Sequence, residues 1–119
     1  VTRPKHMQVP IVRELMRRLR KHAPLPVPVR IVQRRSPRIC GDLVLGYCHR
    51  TLKGGPKPRA RRFLIVVEER LSLGEKYEVI VHEYAHCLDR VKRPLDVKDC
   101  HDSRWGACYA RAFRASTLR

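Results

Sequence analysis

The sequence predicts a single α+β domain: an N-terminal helix, a three-stranded and mainly antiparallel sheet, a buried helix and a C-terminal helix. Three observations carry this. Apolar residues recur at helical spacing in one stretch near the start and in two stretches of the second half. Between them, short apolar segments alternate or run together as strands do. The length, 119 residues, suits one core of ordinary size.

Pro10 stands where a helix tolerates proline, at its first turn, ahead of Ile11, Val12, Leu15, Met16 and Leu19 on one side. Arg13, Arg17, Arg18, Arg20 and Lys21 fall on the other, so this helix packs its apolar stripe and solvates a basic face. Pro24, Pro26 and Pro28 end it. Val27, Val29 and Ile31 then alternate in a strand that begins at a sheet edge, since proline has no N–H for a ladder. Leu43, Leu45 and Tyr47 alternate in a second strand over about 42–50. Residues 54–62, rich in Gly, Pro and Arg, read as a flexible basic loop. Phe63–Val67 is a third, continuously apolar strand. Ser72 and Glu75 have capping-box spacing and open a strongly apolar helix reaching about Asp89. After a polar loop, Asp102 or Ser103 caps a last helix with Trp105, Cys108, Tyr109, Ala112 and Phe113 on its packed stripe.

Charge divides this domain in two. The chain has 27 Lys+Arg against 11 Asp+Glu, a formal net charge of +16. Residues 1–62 hold 17 of the basic side chains and 2 acidic ones, whereas residues 63–119 hold 10 and 9. Such a polycation attracts polyanions through counterion release, and DNA is the expected partner. The candidate contacts are Arg13, Arg17, Arg20, Arg34, Arg35, Lys53, Lys57, Arg59, Arg61 and Arg62. No apolar run reaches the length of a membrane span and none resembles a secretory signal, so no membrane partner is expected. A cytoplasmic, nucleoid-associated or nuclear location follows, rather than secretion. Five cysteines (40, 48, 87, 100 and 108) include no C-x-x-C pair and are expected to stay reduced.

The chemistry concentrates in the apolar helix, at His82-Glu83-Tyr84-Ala85-His86. Histidines four residues apart project from one helical face and can share a Zn²⁺ ion, one per chain, while Glu83 reaches a water on that ion. A chain with six His and six Glu would show this H-E-x-x-H pattern by accident roughly 0.015 times. Polar groups on so greasy a helix are costly unless something pairs them. His101 is the best third ligand; Asp89, Asp96, Asp99, Asp102 and Cys100 compete with it, and His6, His22 and His49 read as surface or strand residues.

Leu45-Gly46-Tyr47-Cys48, Arg62–Val66, Val79–Leu88 and the downstream His101-Asp102-Ser103-Arg104-Trp105 together resemble the SprT-like metallopeptidase domain, over roughly residues 43–113. That family includes the Spartan proteases, which digest proteins crosslinked to DNA. The resemblance implies a minimal zincin-like fold, His82, His86 and His101 as zinc ligands, and Glu83 as general base in peptide hydrolysis. The Cys-rich zinc ribbon of many relatives has no counterpart here, so DNA targeting would rest on the basic half. By analogy with zincins, the strand at 63–67 would pair with the substrate backbone. Tyr84, Tyr109 and Arg111 are possible oxyanion donors, and Trp105 is expected to pack the last helix. The leading expectation is therefore a zinc endopeptidase recruited by DNA. Two other readings remain: a nucleic-acid-binding module that uses zinc only to hold its fold, and a zincin that cuts one dedicated partner such as a repressor.

Overall fold

Pro10 is the first residue of helix α1, Pro10–His22, which buries Val12, Leu15, Met16 and Leu19 as its spacing predicts. A computed structural model of the chain describes residues 5–6, 10–35, 38–39, 42–43, 46–53, 59–92 and 101–119. Its strands are β1 (Lys5–His6), β2 (Val29–Arg34), β3 (Arg38–Ile39), β4 (Asp42–Leu43), β5 (Gly46–Lys53) and β6 (Arg59–Glu68), and its remaining helices are α2 (Leu73–Lys92) and α3 (Ser103–Thr117). The α+β class and the helix–sheet–helix–helix order hold.

Four strands form one sheet in the order β1-β2-β6-β5, and β3 pairs with β4 apart from it. Successive hairpins do not describe this sheet. β5 and β6 are antiparallel, but β2 lies parallel to β6, with Val29 opposite Phe63 and Val32 opposite Val66. Pro28 fits this arrangement because it needs only to accept: its carbonyl takes the Phe63 N–H at 2.9 Å.

Two boundaries move from their predicted places. The second strand begins at Gly46, because Asp42 and Leu43 pair with Ile39 and Arg38 instead. The third starts at Arg59, so the last four residues of the expected loop are strand, with a register shift opposite Thr51/Leu52; residues 54–58 lie outside the described residues.

Alternation sorts the sheet into two faces. Val29, Ile31, Phe63, Ile65 and Val67 join one core cluster with residues of all three helices, among them Leu19, Ile80, Tyr84, Leu88, Ala112 and Ala115. All three helices therefore cover the same face. Tyr84, fully buried in α2, donates its hydroxyl to the carbonyl of Ala23 at 2.7 Å and so ties α2 to the end of α1. The predicted capping box closes α2: Ser72 Oγ accepts from Glu75 N at 3.2 Å, and Ser72 N donates to Glu75 Oε1 at 3.1 Å. One stripe residue is misplaced by periodicity. Phe113 is 56% exposed, and α3 packs through its small residues Ala112, Ala115 and Ser116.

Candidate metal centre

α2 is buried almost without interruption from Ile80 to Asp89. His82 is its half-exposed exception, one turn before buried His86, and their ring centroids are 5.0 Å apart. His101 arrives from the residue before the cap of α3. Asp102 caps that helix by accepting from the N–H groups of Arg104 and Trp105, both at 3.1 Å. The cap sets where α3 starts and thereby brings His101 over α2.

The three imidazoles converge through the same atom. His101 Nε2 lies 3.2 Å from His82 Nε2 and 3.2 Å from His86 Nε2, and one ligand atom from each ring falls within 4.8 Å of the others. Three histidines thus lie close enough together to hold a metal ion. The fit can be tested on geometry: nitrogens bound tetrahedrally at 2.0–2.1 Å are about 3.3 Å apart, near the two observed edges. A neutral imidazole nitrogen carries either a proton or a lone pair, so His101 Nε2 cannot donate to one neighbour and accept from the other. Rings protonated at Nδ1 would face three lone pairs at one point, an arrangement that a cation relieves. Burial holds His86 down at about 4, helped by the neighbouring His82, Arg90 and His101 charges, and burial followed by His101 lowers His82 as well. Both rings are therefore neutral at pH 7, the state a metal requires. A three-imidazole donor set suits zinc and its transition-metal neighbours rather than calcium or magnesium.

Trp105 backs the whole cluster. Its ring centroid is 4.9 Å from His82, 5.3 Å from His86 and 4.7 Å from His101. It stacks on Tyr109 at 5.2 Å, which in turn stacks on Phe113. Trp105 packs α3 as expected, but the surface it packs is the ligand set itself.

Glu83 adjoins the histidines and lines a 540 Å³ cleft with Gly46, Tyr77, Val79, His82, Tyr109 and Phe113 among its walls. Burial lifts its carboxyl to about 7, against a weaker opposing pull from Arg90. A carboxyl poised near neutrality takes and returns a proton readily. Gly46 makes the cleft floor possible, a role that strand patterning did not reveal. A Cβ there would collide with Val79 Cγ1, lie 3.1 Å from Val66 O and 3.7 Å from Glu83 Cγ. Only a residue without a side chain lets β5 run this close to α2.

Several expected roles change. β6 is flanked on both sides, by β2 and β5, so residues 63–67 cannot offer a free edge; the edge strand beside the cleft is β5. Tyr84 spends its hydroxyl on α1, and Arg111 lines a different depression with Leu88, Asp89 and Arg104, which leaves Tyr109 as the expected donor that reaches the cleft. Among rival ligands, Asp102 is the helix cap and Asp89 is buried with partners of its own; Asp96, Asp99 and Cys100 lie outside the described residues.

Among the described residues, several of the basic positions have partners within the protein. Arg17 binds both oxygens of Glu14, at 2.9 and 2.6 Å, and Arg35 pairs with Glu69 at 3.4 Å. Arg34 donates to the Tyr47 hydroxyl and lies 5.6 Å over its ring. Arg20 holds the Val29 carbonyl at 2.8 Å, yet it also lines a groove with Arg13 and Arg30 where α1 meets β2. Arg30, an outward strand position whose spacing carries no special signal, completes that groove. Arg62 is exposed; the side chains of Lys53, Arg59 and Arg61, and Lys57 entirely, lie outside the description. Among the described residues, no helix is long and apolar enough to cross a membrane. Comparison of the chain with protein-family models, with curated proteins and with solved structures finds no match.

Proposed function

We propose that this protein is a zinc-dependent endopeptidase that works at or near DNA. The observation that carries the reading is the convergence of His82, His86 and His101 through Nε2 with the Glu83 carboxyl in the adjoining cleft. His82, His86 and His101 would hold Zn²⁺, which supplies the charge that polarises a peptide carbonyl and makes water more acidic. Glu83 removes a proton from the attacking water and returns it to the leaving amine. Burial, which raises its pKa, favours its taking up that proton. Tyr109, on the cleft wall, is the protein's own donor toward the developing oxyanion. The apolar flank of Val79, Tyr109 and Phe113 seats a large apolar side chain next to the scissile bond. Backbone pairing with the β5 edge at Gly46 aligns the substrate.

Recruitment by DNA is supported by the concentration of charge in residues 1–62 and by the groove of Arg13, Arg20 and Arg30. The deciding experiment assays zinc-loaded wild type and Glu83→Gln against an unfolded protein substrate, with and without single- or double-stranded DNA. Cleavage by wild type alone, stimulated by DNA and lost with chelator, is expected. A Glu83→Gln variant as active as wild type would refute the catalytic assignment, and DNA-independent cleavage would remove the recruitment.

A further inference from the structure

We propose that Cys48 and Cys87 form an oxidisable dithiol, at which a hydroperoxide converts the seam between β5 and α2 into a covalent crosslink. Cys48 lies opposite Ile65 in the ladder, on the sheet face that meets the helices. Cys87 follows Glu83 by four residues, so both point from α2 toward the same neighbour. Their sulfurs are 3.1 Å apart, and both are free thiols. A disulfide needs about 2.05 Å, so bond formation asks for a closure of about 1 Å rather than a rearrangement. Arg90 holds the strand in place by donating Nη1 to the Cys48 carbonyl at 2.9 Å. Cys87 is fully buried while Cys48 is partly exposed, which makes Cys48 the sulfur a small reagent meets first.

The chemistry balances with hydrogen peroxide as oxidant. The Cys48 thiolate attacks one peroxide oxygen, the O–O bond breaks, and the departing hydroxide takes up a proton as water. Cys87 then gives up its proton and attacks the sulfenic sulfur; the S–O bond breaks, the S–S bond forms and a second water leaves. Two thiols are oxidised to one disulfide and one peroxide is reduced to two waters. The crosslink closes a loop of about forty residues, constraining the unfolded chain substantially. It also clamps the floor of the cleft, two residues from Gly46 and one turn from Glu83. This inference stands apart from the peptidase reading, since it requires neither metal nor activity.

The test uses the full chain, reduced, freed of reductant, treated with hydrogen peroxide, then alkylated in denaturant and digested. The expected map joins the Cys48 and Cys87 peptides, releases them with dithiothreitol, and leaves Cys108 alkylated. Thermal unfolding should move up by at least about 5 °C in oxidised wild type and in Cys108→Ser, and not in Cys48→Ser or Cys87→Ser. Recovery of Cys48 and Cys87 as separate alkylated or sulfinic peptides, pairing of either with another cysteine, or a crosslink that forms only after denaturant is added would overturn the proposal. The wild-type map decides even if a serine variant fails to fold.

Discussion

A single methyl group at Gly46 should damage both stability and the cleft. The Cβ of Gly46→Ala would overlap Val79 Cγ1 and sit 3.1 Å from the Val66 carbonyl oxygen. Ordinary carbon–carbon contact needs about 3.5 Å, so Val79 or the start of α2 must withdraw by about 1 Å. Two routes are open. Val79 can leave the one rotamer that a β-branched residue strongly prefers in a helix, at about 0.5–1.5 kcal/mol. Alternatively the seam opens, at about 1–3 kcal/mol for an overpacked site. Val66 O belongs to the rigid sheet centre and cannot yield. The expected loss is therefore about 2 kcal/mol, or roughly 8 °C for a chain of this size. Equilibrium urea unfolding measures it. Val79→Ala removes the colliding methyl, so in that background Gly46→Ala should cost less than about 1 kcal/mol, a coupling that a double-mutant cycle resolves. Glu83 Cγ would be at 3.7 Å from the new methyl, an ordinary contact. Any loss of cleavage must then come from the displaced helix, and a 1 Å misplacement is worth about a hundredfold. Gly46→Ala within about 0.5 kcal/mol of wild type, with no coupling to Val79, would refute the close approach of β5 to α2.

Metal analysis should find one zinc per chain, and His101→Ala should weaken binding by at least about a hundredfold, because one of three converging nitrogens is gone; undiminished affinity would remove His101 from the site. In metal-free protein the Glu83 carboxyl is raised from 4.5 to about 7, so its contribution to stability is present below 4.5 and lost as pH climbs through 7. Glu83→Gln should accordingly stabilise metal-free protein at pH 8, by up to roughly 3 kcal/mol, and change little at pH 4.5; equal effects at both pH values would contradict its burial. His86 has the opposite sign: lowered to about 4, it supports the fold above pH 6.5 and withdraws that support as pH falls toward 4, which a pH series of thermal melts on His86→Gln and wild type would expose. Tyr84→Phe should cost about 1 kcal/mol through the lost bond to Ala23 and leave the cleavage rate unchanged; a large rate loss would return Tyr84 to the site.

What could be read from the chain, and what could not, follows the range of each interaction. α1, the Ser72–Glu75 cap, α2 and the Asp102 cap depend on neighbours a few residues away, so spacing reveals them. The same holds for His82, Glu83 and His86, which share one helix. His101 was accessible only because histidine is scarce and the α3 cap lies just beyond it. The sheet was harder. Strand neighbours are chosen by long-range packing, and nothing local says that Val29 should meet Phe63 in parallel or that β6 should lie inside the sheet. Phe113 illustrates the same limit: helical spacing put it in the core, but small residues at 112, 115 and 116 let α3 pack closely and left the ring at the cleft mouth. Charge was legible as a total, but the partners of each charge were not: Glu14 and Glu69 pair with two of the arginines assigned to DNA.

The burial of the motif itself argues for a ligand. α2 is a core helix whose neighbours Ile80, Val81, Tyr84, Ala85 and Leu88 would accept any apolar residue at 83 and 86. Leucine at both positions would remove a carboxyl that burial lifts to about 7, which makes the fold less stable at neutral pH, and an imidazole that burial pushes down to about 4, which makes it less stable as pH falls below 6.5. Neither group recovers that loss through the metal-free hydrogen bonds described: Nε2 of His86 faces another Nε2, and Glu83 opens on a cleft. A cation at the meeting point of the three rings reverses the balance. It favours the neutral imidazoles that burial already selects, and it draws the nearby carboxyl toward the ionised form in which it acts as a base. Zinc should therefore raise the melting temperature of wild type far more than that of His82→Ala, and most at pH values above 7 where Glu83 is hardest to accommodate without it.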